Sequence, residues 1–102
     1  MRLSKAVVVA GVVAMASMSG AAQAATCVVK AGLGTGGTKD AAMFQAWEAV
    51  LQATSWSEAW GPWMSSGGKV GTAPGYKVSG VKNKCKAGGL GQECTMQAKL
   101  CK

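Results

Sequence analysis

The chain reads as a small α+β domain: one amphipathic helix packed on a small antiparallel sheet, disulfide-stapled. Three observations predict that class. Four cysteines occur in a chain without histidine. Residues 1–24 have the layout of a secretory signal peptide, which directs those cysteines to an oxidising compartment. The remainder holds one stretch of helical apolar spacing between segments of strand-like alternation.

The leader is read from its three parts. Arg2 and Lys5 form a positive n-region, and Ala6 to Met18 is an apolar run shorter than the roughly 20 residues that span a bilayer core. Ala22-Gln23-Ala24 is a small-x-small cleavage signal, so the cut is expected after Ala24. A cut after Ala25 would put Gln23 where a small residue is preferred. Thr26 before Cys27 argues against a lipid-anchored cysteine. Residues 25–102 then form a single small domain, periplasmic or secreted, with no further apolar run long enough to cross a membrane.

A domain of this size rarely gains more than about 3–5 kcal/mol from its core, so covalent staples are expected. Cys27, Cys85, Cys94 and Cys101 can pair in three ways, each bridge contributing roughly 2–4 kcal/mol. A metal site is the rival use of four thiols, but no CxxC spacing is present.

Along the mature chain, Thr26 to Ala31 is short, apolar and β-branched, and reads as a strand. Gly32 to Gly37 (GLGTGG) reads as a flexible loop. Thr38 or Asp40 can cap a helix running to about Thr54. At 100° per residue Met43, Phe44, Trp47, Val50 and Leu51 share one arc, with Gln45, Glu48 and Gln52 on the other side. Trp47 is the expected core anchor. Over Ser55 to Gly68, Gly61-Pro62 argues against an unbroken helix, so a single turn from Ser57 is expected, then a turn and a glycine-rich loop. If the long helix continued, Trp56 would fall opposite its apolar stripe.

Lys69 to Pro74 reads as loop, with Pro74-Gly75 as a turn signal. Tyr76 to Cys85 reads as a strand with a bulge at Gly80, and Lys86 to Glu93 as a glycine-rich connection. Cys94 to Leu100 alternates, with Cys94, Met96, Ala98 and Leu100 on one side and Thr95, Gln97 and Lys99 on the other. A helix competes for this segment, since Cys94, Ala98 and Cys101 also fit helical spacing. As a strand it puts Cys94 and Cys101 on opposite faces, so they cannot bond each other. A hairpin that joins Cys85 to Cys94 leaves Cys27 for Cys101, and this pairing is favoured over the other two.

Gly32-Leu33-Gly34-Thr35-Gly36-Gly37 satisfies G-x-G-x-x-G between a strand and a helix. The chain is too short for a dinucleotide fold, and no second strand with a terminal acid follows, so no cofactor is expected. The absence of histidine removes Ser-His and Cys-His catalysis. The four acids, Asp40, Glu48, Glu58 and Glu93, are widely spread, and only a convergence in space would make a glycosidase-type pair. No catalytic or metal-ligating residues are assigned.

The functional lead is aromatic and basic. Trp56, Trp60 and Trp63 cluster in sequence, offering flat faces to sugars or an amphipathic body to membrane interfaces; core filling is the competing use. Residues 25–102 carry nine lysines, no arginine and four acids, and Lys69 to Lys102 holds seven of those lysines against Glu93 alone. Lys82, Lys84 and Lys86 would share one face of a strand, where they also guard an edge. Without arginine, specific nucleic-acid readout is not expected. The sequence therefore points to an exported, non-catalytic binding domain. Its Trp/Lys surface would engage an envelope glycan, an anionic polymer or surface, or a protein partner. A membrane-active basic toxin or antimicrobial is the alternative, and an inhibitor of a secreted enzyme a further one.

Overall fold

The computed structural model describes residues 26–102; the expected leader, 1–24, lies outside the described residues. The order is β1 (Cys27–Gly36), α1 (Lys39–Thr54), a π-helical turn (Trp56–Trp60), α2 (Gly61–Ser65), β2 (Lys77–Gly88) and β3 (Gly91–Cys101). The three strands form one antiparallel sheet in the order β1-β3-β2, with α1 packed on one face across β1 and β3. This is the α+β arrangement expected from the sequence, and the last strand to be made sits in the middle.

α1 begins where the sequence places it. Thr38 is extended, and its Oγ1 accepts from the Ala41 N–H at 3.1 Å, satisfying one of the orphan donors of the first turn. The buried face is Ala42, Ala46, Trp47, Val50 and Leu51, while Met43 and Phe44 pack partly buried against the core. Two alanines thus do work that the stripe of large residues did not reveal: they turn the narrow side of the helix onto β1.

The glycine run is the main correction. GLGTGG is not a loop; Gly32, Gly34 and Gly36 belong to β1 and point at α1. A Cβ on Gly32 would lie 2.8 Å from Ala49 Cβ, and one on Gly36 2.8 Å from Ala41 Cβ. A Cβ on Gly34 would overlap the Ala42 carbonyl and the Ala46 amide. The glycines are there because helix backbone lies directly on strand backbone.

The helical segment after Ser55 also departs from expectation. Ser55 caps the π-helical turn by accepting from the Glu58 N–H at 3.0 Å, and that turn runs straight into α2. Pro62 does not break the path, because it stands in the first turn of α2, where its missing N–H costs nothing. The following loop is held by two indoles: Trp47 Nε1 donates to the Thr72 carbonyl at 2.9 Å and Trp63 Nε1 to the Lys69 carbonyl at 2.8 Å. Both indoles are fully buried, and Phe44 stacks on Trp63 with centroids 5.2 Å apart.

β2 and β3 form a tight hairpin. Gly88 pairs with Gly91, so the connection is only Gly89-Leu90, shorter than the glycine-rich loop expected over Lys86 to Glu93. The bulge at Gly80 is present: φ is +60° there, and the register shifts between Ser79 and Lys82, which sets Gly80 and Val81 against Ala98 alone. β3 alternates as a strand, with Cys94, Met96, Ala98 and Leu100 buried. The disulfides are Cys27–Cys101, joining β1 to β3, and Cys85–Cys94, joining β2 to β3. No helix among the described residues is long and apolar enough to cross a membrane.

Candidate functional site

The sheet has two unlike faces. The inner face carries Cys94, Met96, Ala98 and Leu100 of β3 and lies under α1. The outer face has nothing packed on it among the described residues. Strand alternation and register assign its three rows. β1 contributes Cys27, Val29, Ala31, Leu33 and Thr35; β3 contributes Glu93, Thr95, Gln97, Lys99 and Cys101; β2 contributes Lys77, Ser79, Lys82, Lys84 and Lys86.

Lys82, Lys84 and Lys86 therefore stand together on one open face, all exposed, opposite Gln97, Thr95 and Glu93. Two residues of an antiparallel strand span about 6.8 Å, which sets the spacing along the row. Lys82 and Lys84 with Thr95 and Gln97 border a shallow depression of about 440 Å³. Lys99 in the centre and Lys77 at the far end extend the charge. None of these five lysines has a carboxylate within ion-pair distance: the one salt bridge among the described residues is Lys102 Nζ to Glu58 Oε1, at 2.7 Å. Five lysines against Glu93 alone, on a face that no described residue covers, produce a positive potential over the sheet.

The Glu58–Lys102 pair lies elsewhere, where the C-terminal residue meets the π-helical turn. Its hydrogen bond holds the Glu58 carboxyl below its ordinary value and the Lys102 ammonium above its own. The Tyr76 ring lies 5.0 Å from the ammonium, a cation–π contact.

The three clustered indoles do not form one surface. Trp63 is in the core, as described. Trp60 is half-buried, and its Nε1 donates to Glu48 Oε2 at 2.9 Å. Trp56 is 60% exposed and leans on Trp60 with centroids 5.1 Å apart. Trp56 and Trp60 belong to the helical layer, whereas Lys82, Lys84 and Lys86 lie on the opposite side of the sheet. The expected Trp/Lys surface is thus divided into a basic sheet face and an aromatic ridge. Two contributors escaped the sequence reading. Of the exposed pair Val29 and Leu33, the second falls beyond the strand expected to end at Ala31; carrying the alternation through the glycines joins it to the first. Glu48 gave no local signal as a partner for an indole twelve residues away.

The four acids are dispersed in function as well as in sequence. Asp40 lies in the first turn of α1, Glu48 accepts from Trp60, Glu58 pairs with Lys102, and Glu93 faces outward from β3. All four cysteines are oxidised. Among the described residues no three histidine, cysteine, aspartate or glutamate side chains group as metal ligands. The arrangement can hold anionic groups on one side and present aromatic surface on the other. No protein-family model matches this chain, and neither does any curated protein or solved structure.

Proposed function

We propose that this chain is an exported, non-catalytic binding domain whose lysine-bearing sheet face engages an anionic polymer of the cell envelope. The observation that carries the reading is the row of Lys82, Lys84 and Lys86, continued by Lys77 and Lys99, on an uncovered face without carboxylate partners. Such a row suits repeated point charges, because an ammonium attracts an anion without demanding one planar geometry. The leader-like residues 1–24 and two disulfides support the exported part of the reading.

Titration of the oxidised protein with a polyphosphodiester and with a neutral polysaccharide tests it. Binding to the first that falls steeply with salt, and that Lys82→Gln/Lys84→Gln/Lys86→Gln weakens at least tenfold, is the expected outcome. Equal binding by that variant removes the reading.

The aromatic ridge favours a second contact. The exposed Trp56 face, backed by Trp60, suits a pyranose ring, whose C–H face stacks on indole. The membrane-active alternative needs exposed indoles next to lysines. Leakage from anionic vesicles would favour it, and its absence would leave the polymer reading standing alone.

A further inference from the structure

The two edges of the sheet are built differently. The β2 edge carries Lys77, Lys82, Lys84 and Lys86 and is bent by the Gly80 bulge, two devices that keep another strand away. The β1 edge has neither. Its ten residues keep an unbroken register with β3, contain no proline, and carry one charge, Lys30, which points to the helix side.

The hydrogen-bond phase shows what this edge exposes. Thr26 and Lys102 exchange both backbone bonds, N to O distances of 3.1 and 2.8 Å. In an antiparallel ladder the bonded pairs then recur at every second residue. Val28, Lys30, Gly32, Gly34 and Gly36 bond to β3. Val29, Ala31, Leu33 and Thr35 turn their N–H and C=O groups to the outer edge, where no described strand pairs with them. These are the same residues whose side chains form the uncharged outer row. Above that edge, the methyl groups of Ala49 and Ala41 lie over Gly32 and Gly36.

We infer that β1 pairs antiparallel with β1 of a second copy of this chain, across a two-fold axis perpendicular to the sheet. Unpaired strand backbone calls for another strand, and charge selects which. Pairing through β1 brings Val29, Ala31 and Leu33 against themselves and keeps the two lysine rows five strand spacings apart, about 24 Å, well beyond the roughly 8 Å screening length at physiological salt. Pairing through β2 would set four lysines against four. The one charge on β1, Lys30, lies on the helix side, so the edge offers no charged row that would recruit an acidic or a basic peptide instead. The axis leaves both lysine rows on the same side of a six-stranded sheet, so a long anionic polymer could meet both at once. That last consequence rests on the polymer reading; the pairing does not.

Sedimentation equilibrium of the oxidised protein over a dilution series, with amide hydrogen exchange, tests the pairing. The expected result is a dimer mass at the higher concentrations, with the Ala31 and Leu33 amides slow there and fast on dilution. Ala31→Pro removes an edge-directed donor and no bond to β3, so it should weaken dimerisation at least tenfold with both disulfides intact. If that variant does not fold, Val29→Lys/Leu33→Lys decides, because both side chains are exposed and the new charges would oppose their copies. A monomer at every concentration overturns the inference, as does a dimer that survives these substitutions. A monomer with a slow Ala31 amide also overturns it.

Discussion

β1 and β2 flank the same central strand, each antiparallel to it and each cross-linked to it by one disulfide, yet they serve the molecule in opposite ways. From residue 32 onward β1 gives up its inner side chains. Glycine at 32, 34 and 36 lets α1 settle on bare backbone, so the strand is held by close approach. β2 keeps its side chains but is barely touched by α1, and Val81 and Asn83, on its inner side, stay exposed. One strand is given to the core; the other is free to carry charge. A short chain with few large residues can make a core by bringing backbones together, and the strand left outside becomes available for binding.

The disulfides offer the largest break in that comparison. Cys27–Cys101 spans 74 residues and Cys85–Cys94 spans nine, so their loop-closure contributions are roughly 4–5 and roughly 2–3 kcal/mol. Cys27→Ser/Cys101→Ser should therefore lower the denaturation midpoint more than Cys85→Ser/Cys94→Ser, as chemical unfolding would record. A larger loss from the hairpin bridge would show that β2, not β1, holds the domain closed.

Gly34→Val probes the close approach itself. Its side chain would meet the Ala42 carbonyl and the Ala46 amide, which belong to helix backbone and cannot move alone. A loss of about 3 kcal/mol is expected by urea unfolding. Gly37→Ala meets nothing within 4 Å and should stay within about 0.5 kcal/mol of the parent protein. Equal effects at the two positions would remove close packing as the reason for the glycines.

The smallest expected effect concerns Glu58 and Lys102. Glu58 titrates below its ordinary 4.5, so its contribution is present above that value and fades as pH falls through the lowered one. Lys102 titrates above its ordinary 10.5, so its contribution is present below that value and is lost as pH rises beyond it. Both groups are well exposed, so Glu58→Gln should only slightly flatten the acid limb of thermal stability and should leave neutral pH nearly unchanged. A marked loss at neutral pH would mean that this contact also fixes the π-helical turn.

What could be read from the sequence follows the range of the interactions. α1 was legible because Thr38 and the apolar spacing act within a few residues. β3 was legible from its alternation, and the cysteine pairing follows once that alternation is granted. GLGTGG was misread because glycine in isolation reads as loop; only contact with α1, a tertiary event, makes it strand. Gly61-Pro62 was misread as a break: the helical turn from Ser57 is expected from the sequence, but not its continuation into α2, in whose first turn proline is well placed. For the candidate site, the common face of Lys82, Lys84 and Lys86 was visible in their two-residue spacing. That this face stays uncovered was not visible, since the glycines of β1 decide where the helix lies. The separation of Trp56 and Trp60 from Trp63 depends on a loop anchored by indole N–H groups, which no local pattern announces.

The central claim is that the open sheet face binds through lysines free of ion pairs, and the salt dependence of polymer binding tests it most directly. For a flexible single strand, log K falls with log salt by about 0.7 per neutralised phosphate, so removing three lysines should make the slope shallower by about 2. Lys82→Gln/Lys84→Gln/Lys86→Gln is expected to show that loss of slope together with weaker binding to a polyphosphodiester. A slope and an affinity identical to those of the parent protein would contradict the account.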